Sequence, residues 1–170
     1  MELVPLRKGV SLAFGRAVAI FHESVAVGAS GSALLFERNA GDWCLETRVD
    51  PDVTDEDTGF GVSLSIGGNR MVVGALRYKN KSGAAFVFER AGTGWTQVAM
   101  ITAADTRPED FFGESVSLHG ETILVGASYH DAAGPNHGAA YEFKWESSRW
   151  TQASKLLAQI PVVPVAVEGQ

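Results

Sequence analysis

The chain writes one pattern three times, and a fixed internal period confines a chain to architectures built by stacking like units. Four landmarks recur. Phe-Gly stands at Phe14-Gly15, Phe60-Gly61 and Phe112-Gly113. Val-Gly-Ala stands at Val27–Ala29, Val73–Ala75 and Val125–Ala127. A glycine-led run follows at Gly31-Ser32-Ala33, Gly83-Ala84-Ala85 and Gly138-Ala139-Ala140, and each unit carries a tryptophan, Trp43, Trp95 or Trp150. Gly15 to Gly28, Gly61 to Gly74 and Gly113 to Gly126 each span 13 positions. The varying interval runs from the second landmark to the third: 3 residues from Gly28 to Gly31, 9 from Gly74 to Gly83, 12 from Gly126 to Gly138. Length variation confined to one connection marks a surface loop on a fixed scaffold.

Each unit reads as four strands. After Phe-Gly the residues alternate, with Val18/Ile20, Leu64/Ile66 and Val116/Leu118 on one face and Ala17/Ala19, Ser63/Ser65 and Ser115/Ser117 on the other. Period two in a repeated phase is a strand signal. A short apolar run (25–27, 71–73, 123–125) predicts the second strand, and 33–36, 85–88 and 140–143 the third. The fourth begins at each tryptophan. No segment holds a 3.6-residue period. Four strands in a unit of roughly 40–50 residues is the arithmetic of a β-propeller blade. The expected fold is all-β, three four-stranded antiparallel blades forming a partial propeller or a ring closed by oligomerisation. Gly28, Gly74 and Gly126 are expected where a buried strand turns or meets another backbone closely. Phe14, Phe60, Phe112 and the three tryptophans read as packing residues.

The units resemble FG-GAP repeats, the blades of the integrin α-subunit head and of many surface proteins. The likeness covers roughly residues 14–158, as repeats of about 14–57, 58–109 and 110–158, with 159–170 left as a linker or tail. In that family the first hairpin often carries an Asp-x-Asp-x-Asp-Gly calcium loop. The three hairpins here, 21–24, 67–70 and 119–122, lack it, and at most one Glu per loop cannot supply the oxygens calcium needs. The resemblance therefore implies no calcium site, and no cofactor is expected.

The 170 residues and the triplication fit one domain. A net charge of −6 disfavours a nucleic-acid footprint and an anionic membrane surface. A single cysteine, Cys44, allows no intrachain disulfide. Residues 1–13 do not read as a secretory signal, because Arg7-Lys8 follows the short apolar run. Glu2–Leu6 reads as the remnant of a fourth strand or as an unstructured start. No apolar run approaches the length of a membrane span.

Recognition chemistry is expected in the loops. In an antiparallel blade the strand-four-to-one and strand-two-to-three connections emerge at one end, and the resemblance implies that this end binds ligand. There lie the acidic stretches 50–59 and 105–110, with Asp57, Asp105 and Asp110. There too lie Leu76–Ser82, with Arg77, Lys79 and an exposed aromatic in Tyr78, and Ser128–His137, with Tyr129, His130, Asp131 and His137. The first unit has Ser30 alone at this connection, so the face is uneven. A metal reading for Asp50, Asp52, Asp55 and Asp57 matches no EF-hand-type spacing, and one for His130, Asp131 and His137 lacks a fourth ligand at motif spacing. A solvated acidic loop and a polar loop turning at Gly134-Pro135 are the plainer readings. Gly-x-Ser-x-Gly, phosphate-loop and His-Glu-x-x-His signatures are absent.

Three units fall short of the four to eight blades of closed propellers. Further blades in a longer parent chain, a homodimer closing a six-bladed ring, or an open arc each answer the shortfall. The expected function is a non-catalytic, adhesion-like interaction module binding a protein or glycan, without nucleic acid or membrane insertion, at a cell surface or outside the cell by resemblance. The alternatives are an accessory segment of a secreted hydrolase or lyase whose active site lies elsewhere, and a purely structural scaffold.

Overall fold

The computed structural model describes residues 13–54, 57–92, 94–131, 135 and 137–158. The proposed strand at Glu2–Leu6, Asp55, Gly134 and the tail 159–170 lie outside the described residues. The first unit forms β1 (Ala17–Phe21), β2 (Ser24–Ala29), β3 (Ser32–Asn39) and β4 (Asp42–Val49). The second forms β5 (Phe60–Gly67), β6 (Arg70–Ala75), a single turn α1 (Tyr78–Lys81), β7 (Ala84–Ala91) and β8 (Gly94–Ile101). The third forms β9 (Ser115–His119), β10 (Thr122–Ala127), β11 (Ala139–Glu146) and β12 (Arg149–Leu156). Each unit is one antiparallel sheet with its strands in chain order, a propeller-type blade.

The register repeats as the sequence does. Val18 faces Val27, Leu64 faces Val73 and Val116 faces Val125. A bulge falls at the same place in every blade, between Leu35 and Phe36, Val87 and Phe88, and Glu142 and Phe143. Two-residue hairpins join the first strand of each blade to the second and the third to the fourth, and a residue of positive φ opens several of them: His22 at 52°, Ala40 at 51°, Gly68 at 61° and Ser147 at 51°. That geometry matches the twist of the flanking strands.

Blades meet through a repeated glycine contact. A Cβ on Gly74 would lie 1.9 Å from the carbonyl oxygen of Gly113, and a Cβ on Gly28 would lie 2.1 Å from that of Gly61. The Val-Gly-Ala glycine of one blade is thus the hole into which the Phe-Gly carbonyl of the next blade fits. Gly113 itself sits at φ +89°, where a side chain is strained. Two apolar cores fill the spaces between blades. Leu35 of the first blade packs with Phe60, Leu64, Phe86 and Phe88 of the second. Val72, Val87 and Ile101 of the second pack with Phe112, Ile123, Tyr141 and Phe143 of the third. Polar contacts follow the same period. The Gln97 side chain accepts from the Asp52 amide at 2.9 Å, and Gln152 accepts from the Ala104 amide at 3.0 Å. Arg90 ion-pairs with Glu37 and Glu46 of the first blade and lies over the Trp95 ring, while Arg70 lies over Trp145 and Trp150.

The packing role expected of the three Phe-Gly phenylalanines holds for Phe60 and Phe112, which are buried. Phe14 is 56% exposed, and Val18 and Ile20, on the apolar face of β1, are exposed as well. The reason is positional: no blade among the described residues covers that face. Among the described residues, only the second blade is covered on both sides.

Candidate functional site

The strand-four-to-one and strand-two-to-three connections share one end, as antiparallel pairing requires, and they lock together. The Arg77 guanidinium meets Asp57 at 2.8 Å, and its amide donates to the Thr58 carbonyl at 2.8 Å. On the next pair of loops Lys81 meets Glu109 at 3.4 Å. The Glu109 amide donates to the Asn80 carbonyl at 3.2 Å and the Phe111 amide to the Lys81 carbonyl at 2.9 Å.

The 76–83 loop is held in an unusual conformation. Lys79, Asn80 and Lys81 have φ of 44°, 56° and 64°, and Glu109 and Phe111, which touch them, have φ of 71° and 55°. Non-glycine residues in this region carry a conformational cost of order 1–3 kcal/mol each, and persist where surrounding contacts over-determine them. Here the over-determination comes from the cross-loop amides and from Tyr78. That ring is 8% exposed and lies edge-on to Phe86 at 6.1 Å. The exposed aromatic expected at Tyr78 is therefore corrected. The left-handed turn at 79–81 lifts the lysines into solvent and drives the tyrosine into the first inter-blade core.

The third blade holds a buried polar strut. His130 is 3% exposed. Its Nδ1 lies 2.8 Å from Asp110 Oδ2, and its Nε2 lies 2.6 Å from Lys155 Nζ. The set is satisfied when Nδ1 carries the proton and donates to Asp110, leaving Nε2 to accept from the ammonium. Asp110, also 3% exposed, further accepts from the Arg107 amide at 2.6 Å. Lys155 donates to Asp105 at 2.6 Å, and the Tyr141 hydroxyl donates to the same carboxylate at 3.0 Å. Partial burial pushes the Asp105 carboxyl up, but the hydrogen bonds from Lys155 and Tyr141 outweigh it and hold it below the ordinary carboxylate value. Burial first, then the bond to Asp105, pushes the Tyr141 hydroxyl well above its usual range.

Of the ten residues expected at a ligand site, the structure thus buries Tyr78, Asp110 and His130 and uses Asp105 in the strut. It leaves Asp57, Lys79, Tyr129, Asp131 and His137 exposed, with Arg77 partly so. Both ring nitrogens of His130 are taken, by Asp110 and Lys155. Asp50 is engaged by Arg48 and Asp57 by Arg77. Among the described residues no group of three or more His, Cys, Asp or Glu stands where it could hold a metal ion. Two residues that sequence reasoning missed belong to this end. Phe111 lies under Tyr129 at 5.1 Å, and Lys81 lies over Phe111 at 5.8 Å. A signal for Phe111 was present: the repeat accounts for Phe112, leaving its neighbour a surplus aromatic.

A comparison with protein families matches the FG-GAP repeat at residues 43–88 and 95–143, over half of the chain. No curated protein matches. The matched segments take in strands of all three blades, so the family pattern and the repeated glycine contact describe the same scaffold. This chain belongs to the FG-GAP repeat family.

Proposed function

We propose that this protein is a non-catalytic interaction module whose loop end binds a protein or a glycan, in the manner of an adhesion domain at a cell surface or outside the cell. The observation that carries the reading is the concentration of left-handed, non-glycine backbone where the 76–83 loop meets 105–111. Strain held in place by cross-loop bonds gives a preformed surface, and a preformed surface binds without the cost of ordering itself. On that surface Lys81 lies over Phe111, which carries the half-exposed ring of Tyr129, and Lys79 is exposed in the same turn. A rigid aromatic beside basic donors is a common recognition pair for proteins and acidic sugars. The titratable groups nearby argue against catalysis by this end, since His130, Asp110 and Lys155 are committed to one another and His130 is buried.

The test is binding of the immobilised chain to a glycan array and a panel of extracellular matrix proteins. Tyr129→Ala combined with Lys79→Ala should lower any signal at least tenfold without lowering the melting temperature. A signal indifferent to that pair overturns the loop-end reading. Product release from a polysaccharide or lipid panel, abolished by His130→Ala, overturns the non-catalytic one.

A further inference from the structure

The face of the third blade turned away from the second repeats, at the positions that touch Phe112-Gly113, the surface on which the second blade receives that pair. In that internal contact the Ser63 hydroxyl donates to the Gly113 carbonyl at 2.8 Å. Gly74 leaves room for that carbonyl, and Gly83 leaves room for the backbone of Phe112. The Phe112 amide donates to the Ser82 carbonyl at 3.0 Å, and its ring joins Ile101 and Ala103. One repeat further on stand Ser115, Gly126, Gly138, Ala139 and Leu156, which line an open groove of about 610 Å³. A Cβ on Gly126 would meet Ser115 Oγ at 2.3 Å, as one on Gly74 meets Ser63 Oγ at 2.2 Å, so the two serines are posed alike. Ser115 Oγ has no partner among the described residues. The groove is a Phe-Gly seat.

The matching knob stands on the first blade. Gly15 has φ +89°, against +86° at Gly61 and +89° at Gly113. Its amide donates to the Gly28 carbonyl at 3.1 Å, as that of Gly113 donates to Gly126 at 3.0 Å. Phe14 leans on Phe36 at 6.3 Å, as Phe112 leans on Phe143 at 6.0 Å. Phe14 and Ile20 are exposed, and nothing lies within 4 Å of a Cβ built on Gly15.

We infer that the seat on the third blade takes Phe14-Gly15 of a second copy of this chain. First strands of adjacent blades pack side by side, β1 on β5 and β5 on β9. The same arrangement between copies brings exposed Arg16 of one toward exposed Glu114 of the other, a pair of opposite charge. Two such head-to-tail contacts close a two-chain ring of six blades, within the range of known propellers. The contact is weaker than the internal ones. Where the second blade presents Val87 and Ala99, the third presents Glu142 and Ser154, bonded to each other at 2.8 Å. The dimer is accordingly reversible and concentration-dependent. This inference does not rest on ligand binding by the loop end, and its test uses no ligand.

The test is light scattering and sedimentation equilibrium of the full chain from about 5 to 300 µM. Wild type should shift from monomer to dimer across that range. Phe14→Ala removes the knob, and Gly126→Ala fills the seat where the incoming carbonyl would lie. Each should weaken association at least tenfold. An equimolar mixture of the two variants should recover part of it, because one knob and one seat remain. Arg16→Glu should also weaken association, and adding Glu114→Arg should restore it. A monomer at every concentration overturns the inference and assigns the seat to a further blade of a longer chain. A dimer indifferent to Phe14→Ala and Gly126→Ala overturns it as well.

Discussion

Replacing Gly74 by alanine separates this account from a generic β-rich fold. The new Cβ would lie 1.9 Å from the Gly113 carbonyl oxygen and 2.9 Å from its carbonyl carbon, both backbone atoms of the next blade. Unbonded carbon and oxygen normally stand about 3.3 Å or more apart, so the second and third blades must part by roughly 1.4 Å along that line. A radial gap of about that size forfeits much of the dispersion energy of the atoms that face it. The Ser63 to Gly113 hydrogen bond stretches with it. Overpacking of this kind costs about 2–4 kcal/mol, or some 4–16 °C of melting temperature for a chain of this size. Gly28→Ala, at 2.1 Å from the Gly61 oxygen, should cost about the same. Gly126→Ala has the same sequence context, but its nearest neighbour is the rotatable Ser115 hydroxyl at 2.3 Å, with no other-blade backbone nearby. It should stay within about 0.5 kcal/mol of wild type. Urea unfolding at low micromolar protein, where copies do not associate, measures all three. Equal cost at Gly74 and Gly126, or no cost at Gly74, refutes the inter-blade glycine contact.

Tyr78→Ala should cost about 3–5 kcal/mol by urea unfolding, as a buried aromatic does, while Tyr129→Ala should be nearly silent. Asp110→Ala strands the His130 ring nitrogen and the Arg107 amide, and should cost about 2–4 kcal/mol and speed hydrogen exchange at residues 107 and 130. Tyr141 is held neutral in the folded chain, with its hydroxyl raised above the ordinary value of 10.0. Its contribution is therefore complete below pH 10 and declines as the pH rises beyond it, so melts of Tyr141→Phe should lose less stability than wild type between pH 9 and 11.5. Asp105 is depressed instead, so its contribution holds above 3.8 and is lost as the pH falls through its lowered value. Melts of Asp105→Asn below pH 4 should show a shallower acid decline than wild type. Arg90→Ala removes the ion pairs to Glu37 and Glu46 and the stack on Trp95, and a double-mutant cycle with Glu46→Gln should show coupling of about 0.5–2 kcal/mol.

The blade itself was legible because its determinants are local: alternation in Val116–Leu118, turn residues at fixed offsets, and glycines where only a hydrogen fits. What a residue meets across the blade boundary was not. Phe14, Phe60 and Phe112 occupy equivalent positions, yet Phe14 is open because burial depends on a neighbouring blade. Tyr78 looked like a loop aromatic since nothing in its sequence announces the left-handed turn at Lys79–Lys81. The sequence brings His130 and Asp110 to one end of the blade, but Lys155, distant in sequence and on β12, completes their hydrogen bonds and makes the set a strut. Lys79 and Tyr129 stay exposed at the loop end, where Phe111 and Lys81 join them.

Native-state hydrogen exchange, resolved by residue, tests most directly the claim that these repeats stack as blades through shared cores. The slowest amides should lie in β6 and β7 of the second blade, whose two faces are both covered, with β1 and β12 exchanging far sooner. Protection that is uniform across the three units, or greatest in the first, would contradict the stacked arrangement.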